Sequence, residues 1–271
     1  MSRPLREYLS LYWVLVRARA RGQLQYKVSF ILLLIGSALN VLIDLAEILV
    51  LFRFLRTMVG WTLPEVALLY GFSSSSFALA EALAMGFDAF HRNIVQGTFD
   101  RVMVRPLGAF FQIFSSDLGV RRIGRIAQGY LVLAIAANAL DLHWTPDKLL
   151  VLFMTMLCGT LIFFGFFVIG AASSFWTVQA NEAVNIFTHG GSFVTAYPAD
   201  VFDGWLRRFI TFVVPLAFIN YYPALYLLDR LDPLGLPDWT RLLSPVAAIF
   251  MLLVARLVWS HGVRHYQSTG S

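Results

Sequence analysis

The chain has 271 residues, 58% of them hydrophobic and only 14% charged, with a mean hydropathy of +0.69. Soluble domains carry nearer ~25% charged residues, so a soluble globular fold is excluded, and several apolar runs of bilayer length predict an all-α polytopic membrane protein. The formal charge of +5 is read as Lys/Arg at cytoplasmic lipid headgroups rather than as nucleic-acid binding.

Residues 1–27 carry Arg3, Arg6, Arg17, Arg19, Arg21 and Lys27 against one acid, Glu7. Leu9, Tyr12, Trp13 and Val16 recur at three- and four-residue spacing. That pattern predicts an amphipathic interfacial helix with its cations among the headgroups. It places the N-terminus in the cytoplasm. A basic stretch without an apolar centre does not read as a cleavable signal peptide.

A transmembrane domain of six spans is expected over residues 28–262. Span 1, Val28–Phe52, carries Asp44 and Glu47 three residues apart and so on one face. Arg53, Arg56 and Trp61 form an outside loop. Span 2, Pro64–Met85, starts on a proline suited to a first helical turn. It holds the run Ser73–Ser76, which allows close helix contact, and a third acid, Glu81.

The longest polar interruption follows. Phe87, Phe90 and Ile94 share a helical face, with Asp88, His91, Arg92 and Gln96 elsewhere. Gly97 is placed to stop that helix, and Arg101, Arg105 and Pro106 come before the chain turns apolar again. Cationic flanks between two spans predict a short cytoplasmic interface helix; an ordinary surface loop is the alternative.

Span 3, Ile126–Leu140, is preceded by Arg121, Arg122 and Arg125, expected to snorkel to the inner headgroups. Span 4, Leu149–Ala171, offers Gly159, Gly165 and Gly170 for packing and contains Cys158, the single cysteine, which has no partner for an internal disulfide. Span 5 is weak and ends near Tyr197–Pro198. Phe209–Leu228 is uncharged and long enough to cross, yet Pro215 and Pro223 each remove a backbone donor. Broken backbone survives at membrane depth where protein or a cavity covers it. A re-entrant hairpin over about 205–228, bent near Pro215, is therefore expected. Span 6, Leu242–Trp259, leads to a cytoplasmic tail, residues 263–271. Thirteen of the 21 Lys/Arg fall on the inside of this map, and eight of the 16 acids fall in its outside loops, as the positive-inside rule expects.

A P-loop needs Gly-Lys-Ser/Thr, and neither of the two lysines, Lys27 and Lys148, follows a glycine. Gly71-Phe72-Ser73-Ser74 with His189 as base would make a nucleophile site only if the two came within hydrogen-bond reach; helix packing is the plainer reading. His261 and His265 have metal-like spacing but no acid or Cys nearby, so no metal site is expected. Asp44, Glu47 and Glu81 are acids at membrane depth, where such groups are costly and often functional. They leave open an ion relay in a secondary transporter; for Asp44 and Glu47 the alternative is a place near the outer headgroups or pairing with Arg53 or Arg256.

Gly97-Thr98-Phe99-Asp100-Arg101-Val102-Met103-Val104-Arg105-Pro106-Leu107 resembles the signature of ABC-2-type ABC transporter permeases, in the branch encoded as permease pairs beside an ATPase. Gly22–Lys27, Phe209–Ala224 and His265–Gly270 resemble three further blocks of that branch, in the same order. The resemblance implies a six-span half-transporter with a cytoplasmic coupling helix at about 87–105. It carries an ATPase-coupling role onto Phe87, Phe90, His91, Arg92, Ile94, Asp100, Arg101 and Arg105. It implies two copies of a separate ABC ATPase that bind ATP and Mg, a second permease, homologous or identical, and membrane lipid around them. No cofactor is expected in this chain. The implied setting is a prokaryotic plasma membrane, with both termini cytoplasmic. Export of a drug, lipid or glycolipid is the expected activity. An ion-coupled secondary transporter and a structural membrane subunit stay open as alternatives.

Overall fold

The computed structural model describes residues 27–117, 122–140, 142–177 and 180–267, besides Val14; side chains at 180–184 and at scattered positions of the first helix, Asp44 among them, are outside the description. The interfacial helix expected over 1–27 thus falls outside the described residues, as do Arg121 and Asp141. The described residues are helices and turns, with a single isolated bridge between Met58 and Trp61.

Helix α1 spans Lys27–Phe54 and α2 Leu63–Asp88. Three short helices follow: α3 (Phe90–Val95), α4 (Phe99–Met103) and α5 (Ala109–Phe114). Next come α6 (Ile123–Ala139), α7 (Pro146–Ser173) and α8 (Ala180–Thr195). The short α9 (Gly204–Arg208) and α10 (Tyr221–Leu227) precede α11 (Ser244–His265). Helix starts follow local chemistry. Thr62 N donates to Glu65 Oε2 at 2.7 Å in a capping box, and Pro64 occupies the first turn of α2. Pro146 likewise occupies the first turn of α7.

Three described segments are long and apolar enough to cross a bilayer: Leu63–Val95, Pro146–Ser173 and Ser244–His265. A fourth exists if Gly204–Val213 and Leu216–Leu227, bent by 75°, form one span. The expected spans 3 and 5 correspond to α6, 17 residues, and α8, 16 residues. At 1.5 Å per residue these reach only about 24–26 Å, short of a ~30 Å hydrocarbon core. Helix α1, at 28 residues, has the length and exposes Ile31, Leu32, Ile35 and Leu39.

Helix α7 is the centre, packed on one side by α2 and on the other by α11, while α6 lies along α2. Small residues set these distances. A Cβ at Gly129 would come within 2.8 Å of Ser75 N, and one at Gly71 within 2.9 Å of the Leu133 backbone. Gly159 abuts Ser76, and Gly165 abuts Met251. Close backbone approach of this kind replaces the hydrophobic driving force that lipid cannot provide.

The broken segment is stitched to its neighbours. It bends at Val214–Pro215, where the pattern of prolines places the break. Asn220 Nδ2 donates to Leu69 O at 3.1 Å and to Thr195 O, Ser244 Oγ to Phe218 O at 2.7 Å, and Lys148 Nζ to Leu227 O at 3.0 Å. Residues Val214–Leu225 are buried. Protein thus covers the broken segment, accepts hydrogen bonds from its Asn220 and donates to its Phe218 and Leu227 carbonyls.

Candidate functional site

A cavity of about 210 Å³ opens between α1, α2, α6 and α8. Helix α2 contributes Tyr70, Ser73, Ser74 and Phe77; α8 contributes His189, Ser192 and Phe193, with Tyr197 just beyond it; Glu47 and Arg125 enter from α1 and α6. Polar groups gathered at membrane depth are costly unless they pair or line a cavity, and here they do both.

The charged groups divide between two ends. Glu81, 1% exposed, lies about two turns beyond Ser73 and about one beyond Phe77 on α2, and takes Arg122 at 2.5 Å and Arg125 at 3.4 Å. One carboxylate against two guanidiniums leaves a formal positive charge at the α6 end. Arg122 and Arg125, expected to reach the headgroups, here also hold Glu81 while keeping 32% and 24% exposure. A fully buried acid one helix away is a nearer partner than a headgroup. At the other end Glu47 is exposed and accepts from Tyr197 OH at 3.3 Å. Among the described residues Glu47 forms no ion pair with Arg53 or Arg256, the alternative expected for it. Helix α1 carries Asp44, but its side chain is outside the description.

The nucleophile reading is not supported by geometry. Ser73 Oγ lies 2.6 Å from Thr195 Oγ1 and donates to Ser192 O at 3.1 Å. His189 packs edge-on against Phe77, ring centroids 5.2 Å apart. The run Ser73–Ser76 instead meets neighbours: Ser75 faces Gly129 and Ser76 faces Gly159.

Beyond the C-terminal end of α2, the segment expected as a coupling helix at about 87–105 is two short helices, α3 and α4, parted at Gly97 where a stop was expected. Gly97, at φ +63°, turns the chain between them, and its N–H donates to Ile94 O at 3.1 Å. Only a residue without Cβ takes that conformation at no steric cost. Phe87, Phe90 and Ile94 do share a face, and all three are buried. The face points into this chain. Phe90 packs against Phe99, Phe175 and Trp259, each with ring centroids 5.2 Å away. Phe87 meets Trp259 at 5.3 Å and Phe164 at 5.8 Å.

Asp100 faces the tail. Tyr266 OH donates to Asp100 Oδ1 at 2.9 Å, and the Tyr266 ring sits edge-on to Phe99 at 4.9 Å. Two sequence blocks far apart in the chain, Gly97–Leu107 and the one beginning at His265, therefore touch. Burial, then the Asp100 hydrogen bond, pushes Tyr266 up to about 12. A raised phenol pKa means that this contact stabilises fully below about pH 10 and is lost as pH rises towards 12. Gln112 Nε2 ties the next turn, donating to Val102 O at 2.9 Å and Leu107 O at 2.7 Å.

What remains at the surface is a different set. Arg92, Val95, Gln96, Arg101, Met103, Val104 and Arg105 are exposed, Val104 by 83%. His91 is half-buried. Apolar Val95, Met103 and Val104 are thus accompanied by three cations. Sequence reasoning missed Phe175, Trp259 and Tyr266 as partners of this segment. Their only local signal is aromatic content, which any membrane helix shares.

A family model described as ABC-2 family transporter protein matches residues 38–270. The chain belongs to that family. It is therefore the membrane component of an ABC transporter, and family membership implies an ABC ATPase as partner. None of the curated proteins matches the chain. The match covers the cavity, α3, α4 and the Asp100–Tyr266 contact, so every feature above lies within the ABC-2 unit.

Proposed function

We propose that this ABC-2 chain is the permease half of an ATP-driven exporter of an amphipathic substrate, a drug, lipid or glycolipid. The cavity carries this reading. Opposite charges at its two ends, with serine hydroxyls and aromatic rings between them, suit a molecule with a polar head and an apolar body. Two copies of a separate ATPase bind ATP and Mg and drive the cycle, and a second permease, homologous or identical, completes the path. ATPase closure pushes on α3–α4 and shifts the permease halves between inward- and outward-facing states. The membrane is a prokaryotic plasma membrane with both termini in the cytoplasm, and the segment 205–228 is re-entrant.

The docking surface is the exposed side of α3–α4. Phe87, Phe90 and Ile94 brace it from behind; Arg92, Arg101 and Arg105 surround Val104 and meet acids on the ATPase. Val104→Asp is expected to leave thermal stability unchanged, because the side chain is 83% exposed. It should weaken co-purification of the ATPase at least tenfold, about 1.4 kcal/mol. Equal ATPase recovery with Val104→Asp would move the docking surface elsewhere.

Transport is tested with the complex in sealed vesicles. ATP should drive export of a fluorescent amphiphile, and the permease alone should hydrolyse no ATP. Ser74→Trp, which fills the cavity, should abolish export while the ATPase still co-purifies. Transport by this chain alone on an ion gradient would instead favour the secondary-transporter reading through Glu47. A reporter fused after Ser271 tests the topology: a cytoplasmic signal is expected, and an external one would make the bent segment a crossing.

A further inference from the structure

We propose that the end of the bundle opposite α3–α4 holds a binding site for the phosphate of a lipid headgroup, built on Arg207, Arg230 and Trp61. A cavity of about 400 Å³ lies there, lined by these three residues, Asp200, Val59 and Leu231 among others. It is separate from the cavity between α1, α2, α6 and α8.

The two guanidiniums are fixed in place with donors to spare. Asp200 accepts from Trp61 Nε1 at 2.8 Å, Tyr221 OH at 2.8 Å and Arg207 Nη1 at 3.1 Å. Arg230 stacks over the Trp61 ring, 4.5 Å from its centroid, and grips Glu65 side-on through Nε at 3.1 Å and Nη2 at 3.2 Å. Its Nη2 also donates to Gly60 O at 2.6 Å. Arg230 Nη1 and Arg207 Nη2 have no protein partner among the described residues, and Arg207 Nε is buried without one. Asp200 and Glu65 balance the two arginines in charge but leave these N–H donors unused. Arg230 Nη1 and Arg207 Nη2 are thus single N–H donors on one cavity, placed to hold different oxygens of one phosphate by charge-assisted hydrogen bonds.

The backbone holding this site is strained. Val59 sits at φ +50° and Gly60 at φ +80°, in a tight turn closed by Met58 N to Trp61 O and Trp61 N to Met58 O, both 2.9 Å. A β-branched residue at positive φ is an outlier, and such strain collects where a side chain must be aimed. Here the turn sets Trp61 under Arg230.

The rim identifies the source of the phosphate as lipid. Val59 is 63% and Leu231 84% exposed, and Trp205 and Trp239 are exposed on nearby segments. Tryptophans with apolar neighbours mark the headgroup level of a bilayer. An acyl chain can lie along Val59 and Leu231 while the phosphate reaches the arginines.

The test uses the full-length chain in neutral detergent and native mass spectrometry. Added phosphatidylglycerol should be retained as one bound molecule, and diacylglycerol of the same chains should not. Arg230→Gln removes the free Nη1 edge and should weaken phosphatidylglycerol about tenfold, the loss of one charge-assisted hydrogen bond. Leu231→Glu puts a carboxylate on an exposed rim position, cannot disturb the core, and should weaken it similarly. Should Arg230→Gln fail to fold, Leu231→Glu decides alone. Retention unchanged in Leu231→Glu or in a folded Arg230→Gln overturns the proposal. So does an equal loss in Arg101→Gln, at the opposite end. Millimolar inorganic phosphate that binds alone and displaces the lipid completely would overturn the lipid assignment in favour of a free-anion site.

Discussion

Phe90→Ala should destabilise the isolated permease by about 3–5 kcal/mol, the cost of truncating a buried Phe in a packed core. Phe90 is 0% exposed and stands at the centre of a ring cluster drawn from four places in the chain: Phe99 on α4, Phe175 just after α7, and Trp259 on α11, with Tyr266 beyond Phe99. Edge-to-face pairs add to the burial term, and little can collapse into the void because Gly262 already lets Phe175 approach its backbone closely. A thermal melt in detergent, without any ATPase, measures the effect. The contrast with Val104→Asp separates two roles that one amphipathic pattern conflates. The buried variant should lose fold and ATPase association together; the exposed one should lose association alone. A Phe90→Ala melt within a degree of the unchanged protein would show that the cluster does not hold α3–α4 to the bundle.

The apolar spacing of Phe87, Phe90 and Ile94 was legible in the sequence because helical periodicity records which residues share a face. Periodicity does not say what covers that face. The covering residues, Phe175, Trp259 and Tyr266, are 81 or more positions away along the chain, and only the packing of α7 and α11 brings them in. Pro215 marked the bend for a local reason, its missing N–H, and the bend is where the proline is. The partner of Glu81 was not legible. Arg122 and Arg125 carry the same cationic signal whether they reach lipid headgroups or a neighbouring helix, and the choice depends on how closely Gly129 lets α6 approach α2. The knot around Asp200 escaped notice for a similar reason. Trp61 reads as part of a loop, and Arg207 and Tyr221 fall in the broken segment 205–228, with nothing in their spacing to join them.

Glu81→Gln should cost about 3 kcal/mol or more, since removing one partner of a buried ion pair strands the rest. Glu81 is 1% exposed, whereas Arg122 and Arg125 keep 32% and 24% exposure. That exposure lets the arginines recover part of their hydration, so the loss belongs at the lower end of the about 3–5 kcal/mol range for such pairs. Removing one arginine is less severe: Arg125→Gln leaves Arg122 on Glu81 at 2.5 Å and keeps the carboxylate neutralised. The order Glu81→Gln worse than Arg122→Gln, and Arg122→Gln worse than Arg125→Gln, follows from the distances 2.5 and 3.4 Å. Replacing all three by Leu, Met and Met should recover much of the stability, because a buried charge group exchanged whole for apolar side chains is often neutral. Export need not recover with it, since Arg125 also lines the cavity. The melts of these four variants in detergent, with export measured in vesicles, separate the two contributions of this triad: clamping α6 to α2, and charging one end of the path. If Glu81→Gln melts with the unchanged protein, the ion pairs are not a clamp, and the close contacts of Gly71 and Gly129 alone hold the two helices together.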